Sequence, residues 1–242
     1  MEDRRERITV LVAADLVVLT IRDGRLQVLV VVRGTEPYKG MKALPGGFLR
    51  PDESAEDAAQ RELAEETGLD PCSLPLRQLR TYSRLGRDPR GRVVSVVFLA
   101  VAPELPMPET AAGNDAAASL WAPVDATTSA SLAFDHAEIL ADAVAQAGEM
   151  ISFTTLAAKF CAETFTMKEL RQVFEAIWGV ELDPANFLRA VTNKKNDFVV
   201  PAGGQHKYAR AGRPATLYRM GQAELLDQPI RRPLRRDAGE GV

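Results

Sequence analysis

Glu62, Glu65 and Glu66 stand three and four positions apart in the run Arg61-Glu62-Leu63-Ala64-Glu65-Glu66. On an α-helix these offsets share one face. Three stacked carboxylates repel one another, which makes chemical sense around a hard divalent cation. Mg²⁺ or Mn²⁺ would take the oxygens and keep water and phosphate ligands in its remaining positions. The plain alternative is a solvated Glu-rich helix face. The flanking residues favour the cation. Pro45-Gly46-Gly47 predicts a tight loop with exposed backbone just before the run. The chemistry such a site offers is neutralisation of charge on a phosphoryl or diphosphate group.

The helix that must carry these groups is legible from its ends. Ser54 and Asp57 form a capping-box pattern, which predicts a start near Ala55. Ala58, Ala59 and Leu63 recur at helical spacing and should face the core. Gly68 is placed to end the helix.

The chain has 242 residues, enough for one large domain or two small ones. No run of about 18 apolar residues predicts a membrane span, and the charged start Met1 to Arg7 lacks the apolar core of a signal peptide. Cys72 and Cys161 are far apart and without metal-ligand spacing. They read as reduced thiols of a cytoplasmic protein. The formal net charge of −3 hides an asymmetry. Between Pro184 and Arg219 the bases are Arg189, Lys194, Lys195, Lys207, Arg210, Arg213 and Arg219, against the single acid Asp197. That concentration suggests a surface for a polyanion.

In chain order, Ile8–Ile21 and Leu26–Val32 predict two buried strands joined by an Asp23-Gly24 hairpin turn. Strands are also expected over Arg77–Tyr82, Val93–Val101 and around Leu120-Trp121. The loop Leu85–Arg92, with Arg87, Arg90 and Arg92, suits either a solvated hairpin tip or a phosphate contact. Gly113-Asn114-Asp115 forms a turn, and Leu132–Ala147 reads as an amphipathic helix. The pattern is α+β.

After about Gln146 the register changes. Phe153–Ala162 has helical periodicity. Thr166 and Glu169 form a second capping box, opening a helix through about Trp178 with Leu170, Val173, Phe174 and Ile177 inward. Asp183 and Pro184 supply the N-cap and first residue of another helix, to about Lys194, with Leu188 and Val191 expected inward. Two short strands, Phe198–Val200 and Thr216–Arg219, flank a basic Gly-rich loop, 203–212. This is a winged helix-turn-helix pattern; a helical appendage for dimerisation is the alternative. Asn186, Arg189, Asn193 and Lys195 would lie on the outer faces of the second helix, where Arg and Asn suit guanine and adenine edges. Lys207, Arg210 and Arg213 in the wing would meet phosphates or a narrow minor groove. The expected units are 7–147 and 150–220, followed by a disordered tail, 221–242.

The segment Gly47, five residues, Glu53, seven residues, Arg61-Glu62-Leu63, one residue, Glu65-Glu66, one residue, Gly68-Leu69 resembles the Nudix box at every specified position. The chain from about 8 to 220 also resembles the NrtR group of Nudix-related regulators of NAD metabolism. The anchors are RGTEPYKG (33–40), ALPGGF (43–48), RDPRGRVVSV (87–96), LAFDH (132–136), FTMKELRQVFEAIWG (165–179), Asn186-Phe187 and GRPATLYR (212–219).

The resemblance implies a Nudix fold that binds ADP-ribose or a related nucleoside diphosphate. It also implies a winged helix that binds double-stranded operator DNA as a homodimer, repressing genes of NAD biosynthesis or salvage until effector binds. Many relatives of this kind have a damaged box; this one is intact, so hydrolysis of ADP-ribose to AMP and ribose 5-phosphate stays open. So does a hydrolase whose second domain serves only assembly. On the family pattern Glu62, Glu65, Glu66 and the Gly46 carbonyl would hold metal. Glu53 and Arg61 would be structural, and Glu65 or Asp115 would act as general base. Arg33, Gly47, Arg50 and Arg90 are candidates to hold the diphosphate.

Overall fold

The structure is a computed structural model that describes residues 8–108, 116–207 and 215–233, with backbone alone for residue 116 and residues 204–207. The chain divides into two compact units, Met1–Arg22 with Leu26–Val144, and Ala145–Val242 with the three-residue tip Asp23–Arg25.

The first unit is built on β1 (Leu11–Arg22). Eight consecutive residues from Ala13 to Thr20 are buried, so both faces of this strand are covered. β2 (Arg25–Arg33) follows across Asp23 and Gly24, both at positive φ as a primed two-residue turn requires. β3 (Lys42–Ala43) pairs with β2, and β4 (Gly46–Phe48) pairs antiparallel with β1, setting Gly46 beside Asp15. β5 (Arg77–Tyr82) pairs with β6 (Val93–Val101), which runs parallel to β1. β7 (Ala116–Pro123) pairs with β2.

Helix α1 (Ala55–Thr67) has the expected capping box at Ser54 and ends at Gly68. Ala58, Ala59 and Leu63 join Ala14, Leu16, Val18, Leu29, Phe98 and Trp121 in one core. Burying this apolar face fixes the rotation of the helix and so aims its carboxylates.

The helix expected from Leu132 begins later. A short α2 (Ala126–Ala130), N-capped by Asp125, comes first, and α3 then runs His136–Phe153. Tertiary hydrogen bonds explain the delay: Ala133 N–H donates to the Lys42 carbonyl at 2.8 Å, and Lys42 N–H to the Ser131 carbonyl at 3.3 Å. Those backbone groups are withdrawn from a helix, and Phe134 takes a φ of 56°. The helical expectation for 153–162 is met only by a 3₁₀ turn, Leu156–Phe160.

The second unit holds β8 (Phe165–Thr166), α4 (Met167–Trp178), α5 (Pro184–Val191), β9 (Val199–Lys207) and β10 (Ala215–Met220), with sheet order β8-β10-β9. Phe174 packs edge-on against Trp178, Phe187 and Phe198, at 4.9, 5.2 and 6.2 Å between ring centres. Two expectations are corrected here. α5 stops at Val191 instead of Lys194, because the Asn193 side chain accepts from Lys195 N–H at 3.1 Å and turns the chain. Leu188 is 38% exposed; Phe187 and Val191, four residues apart, take the inward stripe.

Candidate functional site

α1 lies against the glycine strand β4, and that contact creates the site. The Gly46 N–H donates to Glu66 Oε2 at 2.9 Å. A Cβ on Gly47 would stand 2.0 Å from Glu62 Oε1, so only glycine lets the Glu62 carboxylate approach the strand this closely. Glu66 is 8% exposed. Burial, followed by the nearby charges of Glu62 and Asp15, pushes its carboxyl up to about 8. Burial also raises Glu62, against the pull of Arg61.

Arg61 organises the acidic side chains. Its guanidinium donates to both Glu53 oxygens at 2.9 and 2.6 Å, to Glu62 at 2.6 Å, to Glu65 at 3.2 Å and to the Phe48 carbonyl at 3.3 Å. The paired hydrogen bonds hold Glu53 down at about 2. Glu53 also accepts from the Arg50 N–H at 2.7 Å, tying the loop to the helix. Glu65 is further bonded to Arg50 at 3.2 Å.

Below lies a polar floor assembled from distant parts of the chain. Asp15, in the middle of β1, accepts from Ser95 Oγ at 2.5 Å. Arg87 is buried and makes a two-pronged pair with Asp135 at 2.8 and 2.7 Å, with Asp15 at 3.7 Å. Burial opposes the Arg87 charge, but Asp135 and Asp15 outweigh it and hold the guanidinium protonated. His136 Nδ1 accepts from the Leu44 N–H at 2.8 Å. The proton of the neutral ring therefore sits on Nε2, 4.0 Å from Asp15. Burial lowers its pKa.

The walls are aromatic and cationic. Arg90 lies over Phe48 at 4.6 Å and over Phe134 at 5.4 Å, while Arg33 lies over Phe134 at 4.9 Å. Asp88 fixes Arg90 through its guanidinium, the closest contact being 2.7 Å. Tyr38 meets Phe134 edge-on at 4.8 Å.

These groups enclose a cavity of about 400 Å³. It brings together the sequence candidates Arg33, Gly46, Gly47, Arg50, Arg61, Glu62, Glu65, Glu66 and Arg90, while Glu53 braces Arg61 from outside the lining. Asp15, Phe48, Asp88, Phe134 and His136 also line it without a role assigned from sequence, and Arg87, expected at a hairpin tip or a phosphate, joins them. An acid inside the apolar run Val12-Ala13-Ala14-Asp15-Leu16-Val17 was the signal for the first of them. The basic loop 85–92 splits its roles: Arg87 is a buried strut, Arg90 lies on the cavity wall, and Arg92 is half-buried and donates to the Ser83 carbonyl. Asp115 lies outside the described residues.

Among the described residues no three His, Cys, Asp or Glu side chains converge enough to hold an ion alone. The donor set still fits a hard divalent ion completed by water and phosphate oxygens. Glu66, buried, and Glu62, half-buried, are crowded carboxylates that a cation would relieve, and Gly46 lines the same cavity. The cavity thus combines crowded carboxylates, the guanidiniums of Arg33, Arg50, Arg61, Arg87 and Arg90, and flat aromatic faces, which suits a diphosphate joined to ring-bearing groups.

In the second unit Asn186, Leu188 and Arg189 are exposed on α5, opposite the buried Phe187 and Val191. The Asn186 side chain accepts from the Arg189 guanidinium. Lys195 is exposed on the turn after α5 and not on the helix. Asn193, on the same turn, donates to Gln228 at 2.9 Å. Lys207 closes the described part of β9 with its side chain undescribed, and Arg210 and Arg213 fall outside the described residues.

Comparison with known proteins adds lineage to geometry. Residues 11–143 match the NUDIX domain, and residues 157–220 match the NrtR DNA-binding winged helix domain. The chain is 32% identical over 211 residues to the ADPR responsive transcriptional repressor NtrR of Acinetobacter baylyi, covering 86% of this chain and 81% of that protein. It is 41% identical over 116 residues to an ADP-ribose pyrophosphatase of Methanocaldococcus jannaschii, covering 48% of this chain and 64% of that one. The crystal structure of Shewanella oneidensis NrtR complexed with a 27mer DNA superposes with a TM-score of 0.67 at 28% identity, covering 91% of this chain and 99% of that one.

Proposed function

Because this chain belongs to the Nudix family, as one of its NrtR-type regulators, we propose that it is an ADP-ribose-responsive transcriptional repressor. The observation that carries this reading is the pairing of two surfaces in one chain. One is a cavity walled by Arg33, Arg90 and Phe134 over the Glu62–Glu66 pair. The other is the outward face of α5, with Asn186 and Arg189 exposed. In this reading ADP-ribose, or a close nucleoside diphosphate, places its diphosphate against Arg33, Arg50 and Arg90. A divalent cation, Mg²⁺ or Mn²⁺, is held by Glu62, Glu66 and the Gly46 carbonyl, with Glu65 near Arg50 and Arg61 as the further acid. The second unit docks α5 in the major groove of duplex DNA, with Lys195 and the wing on phosphates. Binding as a homodimer matches the two-fold symmetry of a palindromic operator. Control of genes of NAD biosynthesis or salvage follows from the family resemblance.

Arg189→Ala is expected to weaken binding to a specific duplex by about 1–3 kcal/mol, as for loss of a good guanine contact, and to leave ADP-ribose affinity unchanged. Gel-shift or anisotropy titrations at several salt concentrations measure the first and calorimetry the second. Equal loss in specific and random duplex would reduce Arg189 to a phosphate contact, and no loss would remove it from the interface.

A second reading, hydrolysis alongside sensing, is favoured by one observation: both inward carboxylates, Glu62 and Glu66, are present and line the cavity. The bound cation would polarise the diphosphate and supply the nucleophilic water. Formation of AMP and ribose 5-phosphate with Mg²⁺ or Mn²⁺, absent in Glu66→Gln, would establish it. No product above that control makes the site a sensor only.

A further inference from the structure

The chain beyond Met220 is rich in Pro and Arg, a composition that predicts disorder, and it lies past the matched winged helix domain. Residues 221–233 are instead bonded along their length. Gly221 is buried where the segment leaves β10, and its N–H donates to the Phe198 carbonyl at 2.8 Å. A Cβ there would stand 1.8 Å from the Asp197 carbonyl oxygen, so no side chain fits. Gln222 N–H donates to the Asp197 carboxylate at 3.1 Å. Further on, Leu226 N–H and Ile230 N–H donate to the Phe153 and Ser152 carbonyls, each at 2.9 Å. Both side chains are buried.

Between these anchors sits a latch on the turn that follows α5. The Asn196 side chain, 2% exposed, donates to the Gln228 carbonyl at 2.7 Å and accepts from the Gln228 N–H at 2.9 Å. The Gln228 side chain accepts from Asn193 at 2.9 Å. Finally Arg232 donates to the carbonyl of Trp178, the last residue of α4, at 2.6 Å. One segment therefore meets the C-terminal residues of α3, those of α4 and the turn after α5. A side-chain amide that satisfies both backbone groups of a distant residue in a buried setting specifies register, and leaving those groups unpaired is costly.

We propose that residues 221–233 form a strap that positions the recognition helix α5, with Asn196 and Gln228 as its latch. The strap holds the turn 193–197, and through it the C-terminal end of α5, against α3 and α4 in the orientation that specific DNA contact requires. The proposal rests on the reading of the second unit as a DNA-binding domain. A strap that were only an apolar cover would contribute stability without setting the exposure of α5 or base specificity.

The test uses the full chain with Asn196→Ala, Gln228→Ala and Gln228→Glu. Backbone amide exchange across α5 is followed by mass spectrometry, with affinity for a selected duplex and for random duplex, and with ADP-ribose affinity as a folding check on the first unit. In Asn196→Ala, exchange at 188–192 is expected to speed up and specific affinity to fall, each about tenfold. Random-duplex and ADP-ribose affinities stay level. Gln228→Ala removes only a side-chain bond at an exposed position and should cost about threefold. Gln228→Glu keeps the acceptor for Asn193 and should behave as the parent chain. Unchanged exchange at α5 in both alanine variants overturns the strap. Faster exchange with unchanged specific affinity overturns its role in DNA binding. A parent chain that prefers no duplex overturns the DNA-binding reading itself, while the exchange data still report on the strap.

Discussion

Replacing Arg87 by Ala is expected to destabilise the first unit by about 3–5 kcal/mol, the cost of leaving a buried charge without its partner. Asp135 has its two shortest side-chain contacts to the Arg87 guanidinium, and the pair sits beneath the cavity beside Asp15. Against a total stability of about 5–15 kcal/mol for a domain, that loss brings the unit close to unfolding. Arg87→Met with Asp135→Leu should recover the part of it due to Asp135, while Asp15, 3.7 Å from the guanidinium, still loses its countercharge. Urea unfolding followed by Trp121 fluorescence in a Trp178→Phe background isolates the first unit, since Trp121 and Trp178 are the two tryptophans of the chain. A loss under about 1 kcal/mol in the single variant would mean that water, and not the Arg87 guanidinium, suffices to satisfy Asp135.

Glu66→Gln should produce the opposite effect on stability while removing function. The Glu66 carboxyl is raised from the ordinary 4.5 to about 8 in the folded chain. A group raised on folding contributes its stability below the unfolded value and loses it as pH rises through the folded value. The metal-free protein should therefore lose stability across that window, from about pH 4.5 to about pH 8. Glu66→Gln abolishes this contribution to the slope, so at about pH 8 its Tm should exceed the parent's by about 5 °C or more without added cation. Added Mg²⁺ or Mn²⁺ should raise the parent's Tm and leave the variant's nearly unchanged. Thermal scans in EDTA and in each cation, from about pH 5 to pH 9, check both statements. A variant less stable than its parent at alkaline pH would show that the Glu66 carboxylate is satisfied without metal.

Helix α1 and the cavity floor differ in how far sequence conveys them. α1 was legible because its determinants are local: Ser54 and Asp57 at one end, Gly68 at the other, and the apolar spacing of Ala58, Ala59 and Leu63 between them. Its carboxylates followed at fixed offsets. The pairing within the floor was not legible, because Asp15 meets Ser95 across 80 positions and Leu44 meets His136 across 92. Nothing at either partner names the other. Over residues 221–233 composition misled, because prolines and arginines outweighed the apolar Leu226 and Ile230 that anchor this segment. It misled more subtly in α5, where Asn193 reads as a helical face residue but turns the chain and bonds Gln228. The α+β class, the two-part organisation and the winged helix rest on periodicity and caps, and those local signals agree with the packing that buries them.

An ADP-ribose-responsive repressor requires that the cavity and α5 be coupled. The most direct measurement is the affinity of the full chain for a duplex it prefers, determined without ligand and with saturating ADP-ribose in Mg²⁺. Turnover is kept negligible by short incubation at low temperature. ADP-ribose is expected to weaken specific DNA binding by about tenfold or more, a coupling of about 1.4 kcal/mol, and DNA to weaken ADP-ribose binding by the same factor. Equal DNA affinity with and without ADP-ribose, in a chain shown to bind both, would contradict it.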